Sequence, residues 1–336
     1  MSLLDNASIV WPLGAQTKAG NLAAWNPQTK STVPFDVVRA TIKQRINEAG
    51  AWEEVAANVL ARDFTNGGCG DFTIEPARKF LFLNSITGVT QDITVVSGRN
   101  YAVSFSGTGS ITFSVGATGT LTGSGATALD RVSSIVTTTG TSVTCTISGT
   151  VQYVNIEINT NDSSVTYSTS WMKTLDSIVT RNEDVPSLTG ASALLNDSEG
   201  FIYAEFKPFI SDGQGISFVL SDGTSGNRVF LGKNIAGTGY VSVVSSGGSN
   251  TVVLSGGTIS STSFNKALMS YGSGAALLST NGATIQTGSG AMPTGLVNVN
   301  ISDASPATTR FNGRLRVFIV GNQQPTESQA NALTTP

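Results

Sequence analysis

Tyr101-Ala-Val-Ser-Phe-Ser106, Ile111-Thr-Phe-Ser-Val115 and Val154-Asn-Ile-Glu-Ile158 decide the fold. In each run apolar residues alternate with serine, threonine, asparagine or glutamate. An extended strand sends successive side chains to opposite faces, so this period of two describes a sheet with one buried and one polar face. Turn signals separate the runs: Ser97-Gly98, Gly107-Thr-Gly109, Gly123-Ser-Gly125, Thr139-Gly140 and Ser148-Gly149. Their spacing, about 8 to 12 residues, is that of a small antiparallel sandwich. The reading predicts one over residues 86–168. Glu157 lies opposite the apolar face and is expected to be a solvated carboxylate.

Toward the C-terminus, Trp171 is followed by a mixed-charge stretch, Asp176 to Asp184, and then by further strands. Phe201 to Phe206 is one. Gly215 to Leu220 and Arg228 to Leu231 flank the turn Ser221-Asp-Gly-Thr-Ser-Gly226. Asn281-Gly282 is the strongest short hairpin signal a sequence can carry. Leu296 to Ile301 and Leu315 to Val320 complete a larger jelly-roll sandwich, predicted over residues 169–336. A short closing helix follows, capped by Thr326 with Gln329 completing the capping box and Leu333 packing back on the sheet.

Residues 1–85 read differently. They hold three of the four tryptophans (Trp11, Trp25, Trp52) and Pro12, Pro27 and Pro34, with weak alternation. The run from Ala51 to Leu60 has helical propensity but marginal length. Such a segment lies on something: either its own β-domain or a neighbouring subunit, for which Trp11 and Trp25 are the docking candidates.

Composition narrows the function. The 336 residues are 12% charged and 39% hydrophobic, with 37 glycines, two cysteines and no histidine. A mean hydropathy of +0.09 argues against disorder. Without histidine there is no histidine triad, HExxH zinc site or imidazole acid–base pair. A net charge of −3 and a pI near 5.1 give no reason to expect nucleic-acid binding. No apolar run reaches the ~18 residues of a membrane span. The start lacks the basic and apolar regions of a signal peptide, so synthesis in a reducing cytoplasm is expected. Cys145, on an apolar strand face, is expected in the core, and Cys69 in a Gly-rich loop.

Sugar recognition needs aromatic faces for C–H surfaces and a few polar groups for hydroxyls. On the last domain the candidates are Asp222, Asn227, Tyr240 and Tyr271, with Asn234 beside them. A calcium ion would draw on Asp212 and Asp222. The rival reading is that Asp212-Gly213 and Asp222-Gly223 simply make turns. Glycoside cleavage requires two carboxylates across the scissile bond; the strand Phe201 to Phe206 offers Glu205 alone, so no catalytic residue and no enzyme activity are expected. Arg310, Arg314 and Arg316 form a small basic group whose default reading is a strand's solvent face.

The chain resembles a family of bacteriophage virion structural proteins along essentially its whole length. The resemblance rests on Ser2-Leu-Leu-Asp-Asn-Ala-Ser8, Lys18-Ala-Gly-Asn-Leu22, Arg45-Ile-Asn-Glu-Ala-Gly50, Glu53-Glu-Val-Ala-Ala-Asn-Val59, Asn66-Gly-Gly-Cys-Gly70 and Ile74-Glu-Pro-Ala-Arg78. Toward the C-terminus it continues in Met292-Pro293 and Phe311-Asn-Gly-Arg-Leu-Arg316. It implies an all-β chain: an N-terminal virion-docking segment, a carbohydrate-binding-module-like sandwich, then a concanavalin A-like, laminin-G-type jelly roll. It further implies a tail-fibre, head-fibre or capsid-decoration subunit located in the virion. Such a subunit docks other virion proteins through its N-terminal segment, is suited to homotrimers and contacts host-surface polysaccharide. A purely architectural subunit is the alternative.

Overall fold

A computed structural model describes residues 7–11, 23–209, 217–233, 239–301 and 310–336, the side chains of Trp11, Ala23 and Pro34 excepted. The protein is all-β, with a single α-helix among the described residues. It divides into two compact units, residues 38–184 and residues 1–37 with 185–336. The smaller unit is thus inserted in the larger, and the boundaries expected at 85/86 and 168/169 fall elsewhere. The reason is long-range pairing. Strands Arg78–Phe80 and Val179–Arg181, outside the expected sandwich, pair with each other, and Arg78–Phe80 also pairs with Gln152–Ile158. Ala7–Trp11 pairs with Gly313–Gly321, near the other end of the chain.

The smaller unit is a sandwich. One sheet runs in the order Val132–Thr137, Asn100–Ser106, Gln152–Ile158, Arg78–Phe80, Val179–Arg181. The other runs Gln91–Thr94, Ser142–Ser148, Ser110–Ser114, Gly119–Thr122. Between them lie Val103, Phe105, Ile111, Phe113, Val143, Cys145, Val154 and Ile156. The alternation holds strictly in Ser110–Ser114, where Ile111 and Phe113 are buried and Thr112 and Ser114 exposed. It fails in Asn100–Ser106, where Tyr101 to Ser106 are all buried. The outer face of that sheet is covered too, so Glu157 is fully buried rather than solvated.

Ala51 to Leu60 contains no helix. Trp52–Val55 is a strand paired with Lys43–Ile46, with Arg45 opposite Glu53. The two are joined by an ion pair of 2.7 Å. Cross-strand pairing over a turn at Gly50 outweighs a helical propensity too short to nucleate. Cys145 is buried as expected, and burial with nearby Asp92 pushes its thiol up to about 12. Cys69 is exposed, and both thiols are free.

In the larger unit one sheet orders its strands Gln286–Ser289, Ala275–Thr280, Asn265–Gly272, Glu199–Pro208, Gly313–Gly321, Ala7–Trp11, Ala23–Asn26, Ser31–Pro34. The opposing sheet includes Ser249–Thr258, Gly239–Ser246, Arg228–Lys233, Ser217–Ser221, Asn298–Asn300 and Val185–Leu188. Their faces meet at Phe206, Phe218 and Phe318, with Phe206 and Phe218 ring centres 5.3 Å apart and Phe218 and Phe318 5.7 Å. The N-terminal strands therefore belong to their own chain's sheet. Asn281 and Gly282 take φ 45° and 71°, as their turn requires. The closing helix Glu327–Thr334 carries the expected capping box of Thr326 and Gln329. Its Leu333 packs on the core that includes Tyr203, Leu268 and Leu277.

Candidate functional site

Most of the residues singled out on the larger unit prove to be structural. Tyr240 and Tyr271 are 1% and 0% exposed, because their strands carry them between the sheets. The Tyr271 hydroxyl donates to the Asn196 carbonyl at 2.7 Å, and the Tyr240 hydroxyl accepts from Asn281 Nδ2 at 3.2 Å. Burial pushes both phenols up from their ordinary range. Neither ring has a face to offer a sugar. Asp222 Oδ1 accepts from the backbone and hydroxyl of Thr224 at 2.8 and 2.7 Å, and its Oδ2 from Asn227 Nδ2 at 3.0 Å. Asn227 Oδ1 in turn accepts from Gly247 N at 3.0 Å. Slight burial pushes the Asp222 carboxyl up, but these bonds outweigh it and leave the group below its ordinary value. This is turn chemistry. Asp212 and Asn234 lie outside the described residues, as does the Trp11 side chain; Trp25 is half-buried in strand Ala23–Asn26. Arg316 pairs with Glu205 at 3.0 Å and stands over the Phe264 ring at 3.6 Å. Among the described residues no group of three or more carboxylate or thiol side chains gathers as a metal site requires.

The smaller unit holds a buried ionic network that sequence spacing does not reveal. Asp184 accepts from Arg39 Nη1 at 2.6 Å, Lys43 Nζ at 2.8 Å and Glu75 N at 2.9 Å. Glu75 Oε2 meets Lys43 Nζ at 2.9 Å and Arg181 Nη1 at 3.0 Å. Glu75 Oε1 accepts from Ser170 N and Oγ at 2.7 and 2.9 Å. Burial alone raises the Glu75 pKa, yet Arg181 and Lys43 overcome it and hold the carboxyl far below the usual range. Next along the chain, Thr169 donates its N–H at 2.7 Å and its hydroxyl at 2.5 Å to Glu157. There burial prevails over the more distant Arg78, 3.7 Å away, and the Glu157 pKa is raised. Two carboxyl groups pushed in opposite directions are a pattern of acid–base sites. Here they are 2% and 0% exposed.

Near this network stands an aromatic group with solvent access. In the pairing of Asn100–Ser106 with Gln152–Ile158, Ser104 is opposite Asn155 but Ser106 is opposite Gln152. One strand therefore carries an extra residue, a β-bulge. Tyr153 lies in it at φ 54°, a left-handed conformation uncommon for anything but glycine, asparagine or aspartate. Bulges turn side chains out of the regular alternation, and residues held in sparsely populated conformations cluster at functional sites. The Tyr153 ring meets the buried Trp171 edge-on at 4.9 Å, and Trp52 lies 5.8 Å from Trp171 and 6.4 Å from Tyr153. Trp52 and Tyr153 are partly exposed. The Arg131 guanidinium sits 5.8 Å from the centre of the Trp52 ring. Its Nη1 donates to the Thr169 carbonyl at 2.7 Å and its Nη2 to the Ser104 hydroxyl. The arrangement is an aromatic surface fixed from beneath. It was missed in the sequence, although the buried Val151 and Val154 stand three apart, and that break in parity marks the extra residue.

No family model matches the chain, and no curated protein does. Among solved structures it is similar to the carbohydrate-binding module CBM40 of the Ruminococcus gnavus IT-sialidase, bound to alpha2,3 sialyllactose. That match has 18% identity and a TM-score of 0.37, covering 43% of this chain and 86% of the module. The leech intramolecular trans-sialidase matches at 16% identity and a TM-score of 0.35, covering 43% of this chain and 24% of that one. The NanB sialidase of Streptococcus pneumoniae matches at 14% and 0.35, covering 45% and 27%. The chain thus spans about a quarter of either sialidase, and at these identities and scores the likenesses carry no statement about ligand or activity.

Proposed function

We propose that this chain is a bacteriophage virion structural protein, a fibre or surface-decoration subunit that contacts glycans and performs no catalysis. The sequence resemblance supports the virion assignment. The observation that carries glycan contact is Tyr153, held out on a bulge in a left-handed conformation beside Trp52 and above Trp171. Aromatic rings of this kind offer apolar faces to the C–H surfaces of sugars. The contact surface then lies on the inserted sandwich rather than on the larger unit, where the tyrosines are core. As a virion subunit the chain assembles in the host cytoplasm, docks other virion proteins, and forms a homotrimer in which identical sandwiches pack about an axis.

The test has two readouts. Mass spectrometry of purified phage particles should find the chain in stoichiometric amounts, and light scattering should give three times its 34.7 kDa mass. Binding of the full-length oligomer to host cells should saturate and be competed by soluble surface polysaccharide. Presence in particles with no binding to cells or glycans would favour the architectural subunit instead.

A further inference from the structure

The glycan reading leaves open which sugars the aromatic group takes, and the charges around it answer that. We infer that the Trp52–Tyr153 surface is a subsite for neutral hexopyranose chains, and that it discriminates against sialylated or uronate-bearing ones; this rests on the glycan reading above.

An anionic sugar would need a cation free to meet its carboxylate. The guanidinium that lies over the aromatic group is that of Arg131. Its Nη1 and Nη2 each donate inside the protein, to the Thr169 carbonyl and the Ser104 hydroxyl, and its Nε is buried without a partner among the described residues, so the group is directed inward rather than at the surface. It lies over the Trp52 ring and braces it. Meanwhile Glu54 is exposed and two residues from Trp52 along strand Trp52–Val55, so both side chains leave the strand on the same face. Glu53, next to it, is spoken for by Arg45. An exposed carboxylate beside an aromatic ring accepts hydrogen bonds from sugar hydroxyls and repels a sugar carboxylate. The Tyr153 hydroxyl, which has no partner among the described residues, adds a donor and acceptor. Rings for C–H faces, Glu54 and Tyr153 for hydroxyls, and an arginine turned into the protein make a site suited to neutral sugars.

The experiment uses the full-length chain in calorimetric titrations against neutral oligosaccharides (gluco- and galacto-hexaoses) and anionic ones (oligosialate, oligogalacturonate). Host-cell binding is measured in parallel. The variants are Tyr153→Gly, Trp52→Ala and Glu54→Lys, each checked for folding by circular dichroism. Tyr153→Gly suits the left-handed backbone, so it removes the ring without adding backbone strain. Neutral sugars should bind the wild type, at least ten times more tightly than anionic ones. Tyr153→Gly and Trp52→Ala should lose ten-fold or more of that affinity, and Glu54→Lys should narrow the discrimination. Tighter binding of the anionic series overturns the neutral assignment. Wild-type affinity in both ring variants overturns the site while leaving glycan contact standing. No binding by the wild type to sugars or cells overturns both.

Discussion

Arg39 and Asp184, 145 positions apart in sequence, are joined by a buried ion pair of 2.6 Å at the two ends of the inserted unit. The chain begins that unit at residue 38 and leaves it at residue 184. The pair therefore closes the insertion at its neck, and Lys43 and Glu75 extend the closure inward. An insertion whose ends are tied keeps its fold without straining its host, since domains with adjacent termini are readily inserted.

Asp184→Asn should destabilise the smaller unit more than Arg39→Met does. Asp184 is the meeting point of Arg39, Lys43 and the Glu75 amide, so its neutralisation leaves Arg39 without a carboxylate and Lys43 with Glu75 alone. Removing one member of a buried pair costs roughly 3–5 kcal/mol. Arg39→Met leaves Asp184 still bonded to Lys43 and the Glu75 amide, and should cost about half as much. Urea unfolding followed by near-ultraviolet circular dichroism checks the order, and an equal or reversed order contradicts the hub.

Acid should expose the opposite characters of Glu75 and Glu157. The Glu75 pKa is lowered in the fold, so the unfolded chain binds more protons below its ordinary value of 4.5. Its contribution is complete above that pH and is lost progressively as pH falls toward the folded value. Glu157 is raised, so its contribution is complete below 4.5 and is lost as pH rises through the higher folded value. At pH 7, Glu75→Gln should cost about 3 kcal/mol because Arg181 loses its carboxylate and Lys43 is left with Asp184 alone. Glu157→Gln should cost less than about 1 kcal/mol, since an uncharged carboxamide relieves the desolvation. Stability measured from pH 3 to 8 for both variants decides it.

How much of this was legible depended on how far each feature reaches. Ile111 and Phe113 declare their buried face by local period, and Asn281-Gly282 and Thr326 with Gln329 declare a turn and a cap by local chemistry. Alternation at Glu157 shows which face the side chain takes, but not that Thr169 and Arg78 cover that face. The strand at Trp52 depends on its partner Lys43–Ile46, and the insertion on Arg39 meeting Asp184, neither of which period or propensity encodes. Tyr240 and Tyr271 sit beside glycines and read as loop residues; cross-strand pairing with Lys233 and Ala276 puts them inside strands.

Thiol chemistry should separate the two cysteines. Cys69 is exposed in its glycine-rich loop and should react with a disulfide reagent in the native protein. Cys145 is fully buried with its pKa pushed up to about 12, so it should react only on unfolding. One thiol counted before denaturant and two after is the expected result; two before would mean that the sandwich core opens.

Val115 supplies the clearest test of local strain. It has φ 70°, a region where a β-branched side chain is a genuine outlier, and its side chain is 83% exposed. It follows strand Ser110–Ser114, and the next residue, Gly116, donates to the Ser114 carbonyl at 3.0 Å. Because the side chain makes little contact with the fold, removing it should cost almost nothing in packing. The bond from Gly116 to Ser114 closes a γ-turn around Val115, strained at positive φ for any residue with a Cβ but open to glycine, so Val115→Gly should stabilise the smaller unit by up to about 1 kcal/mol. A rise in the urea midpoint at unchanged slope is the expected signature. A fall would mean that the valine makes a contact within the fold worth more than its strain.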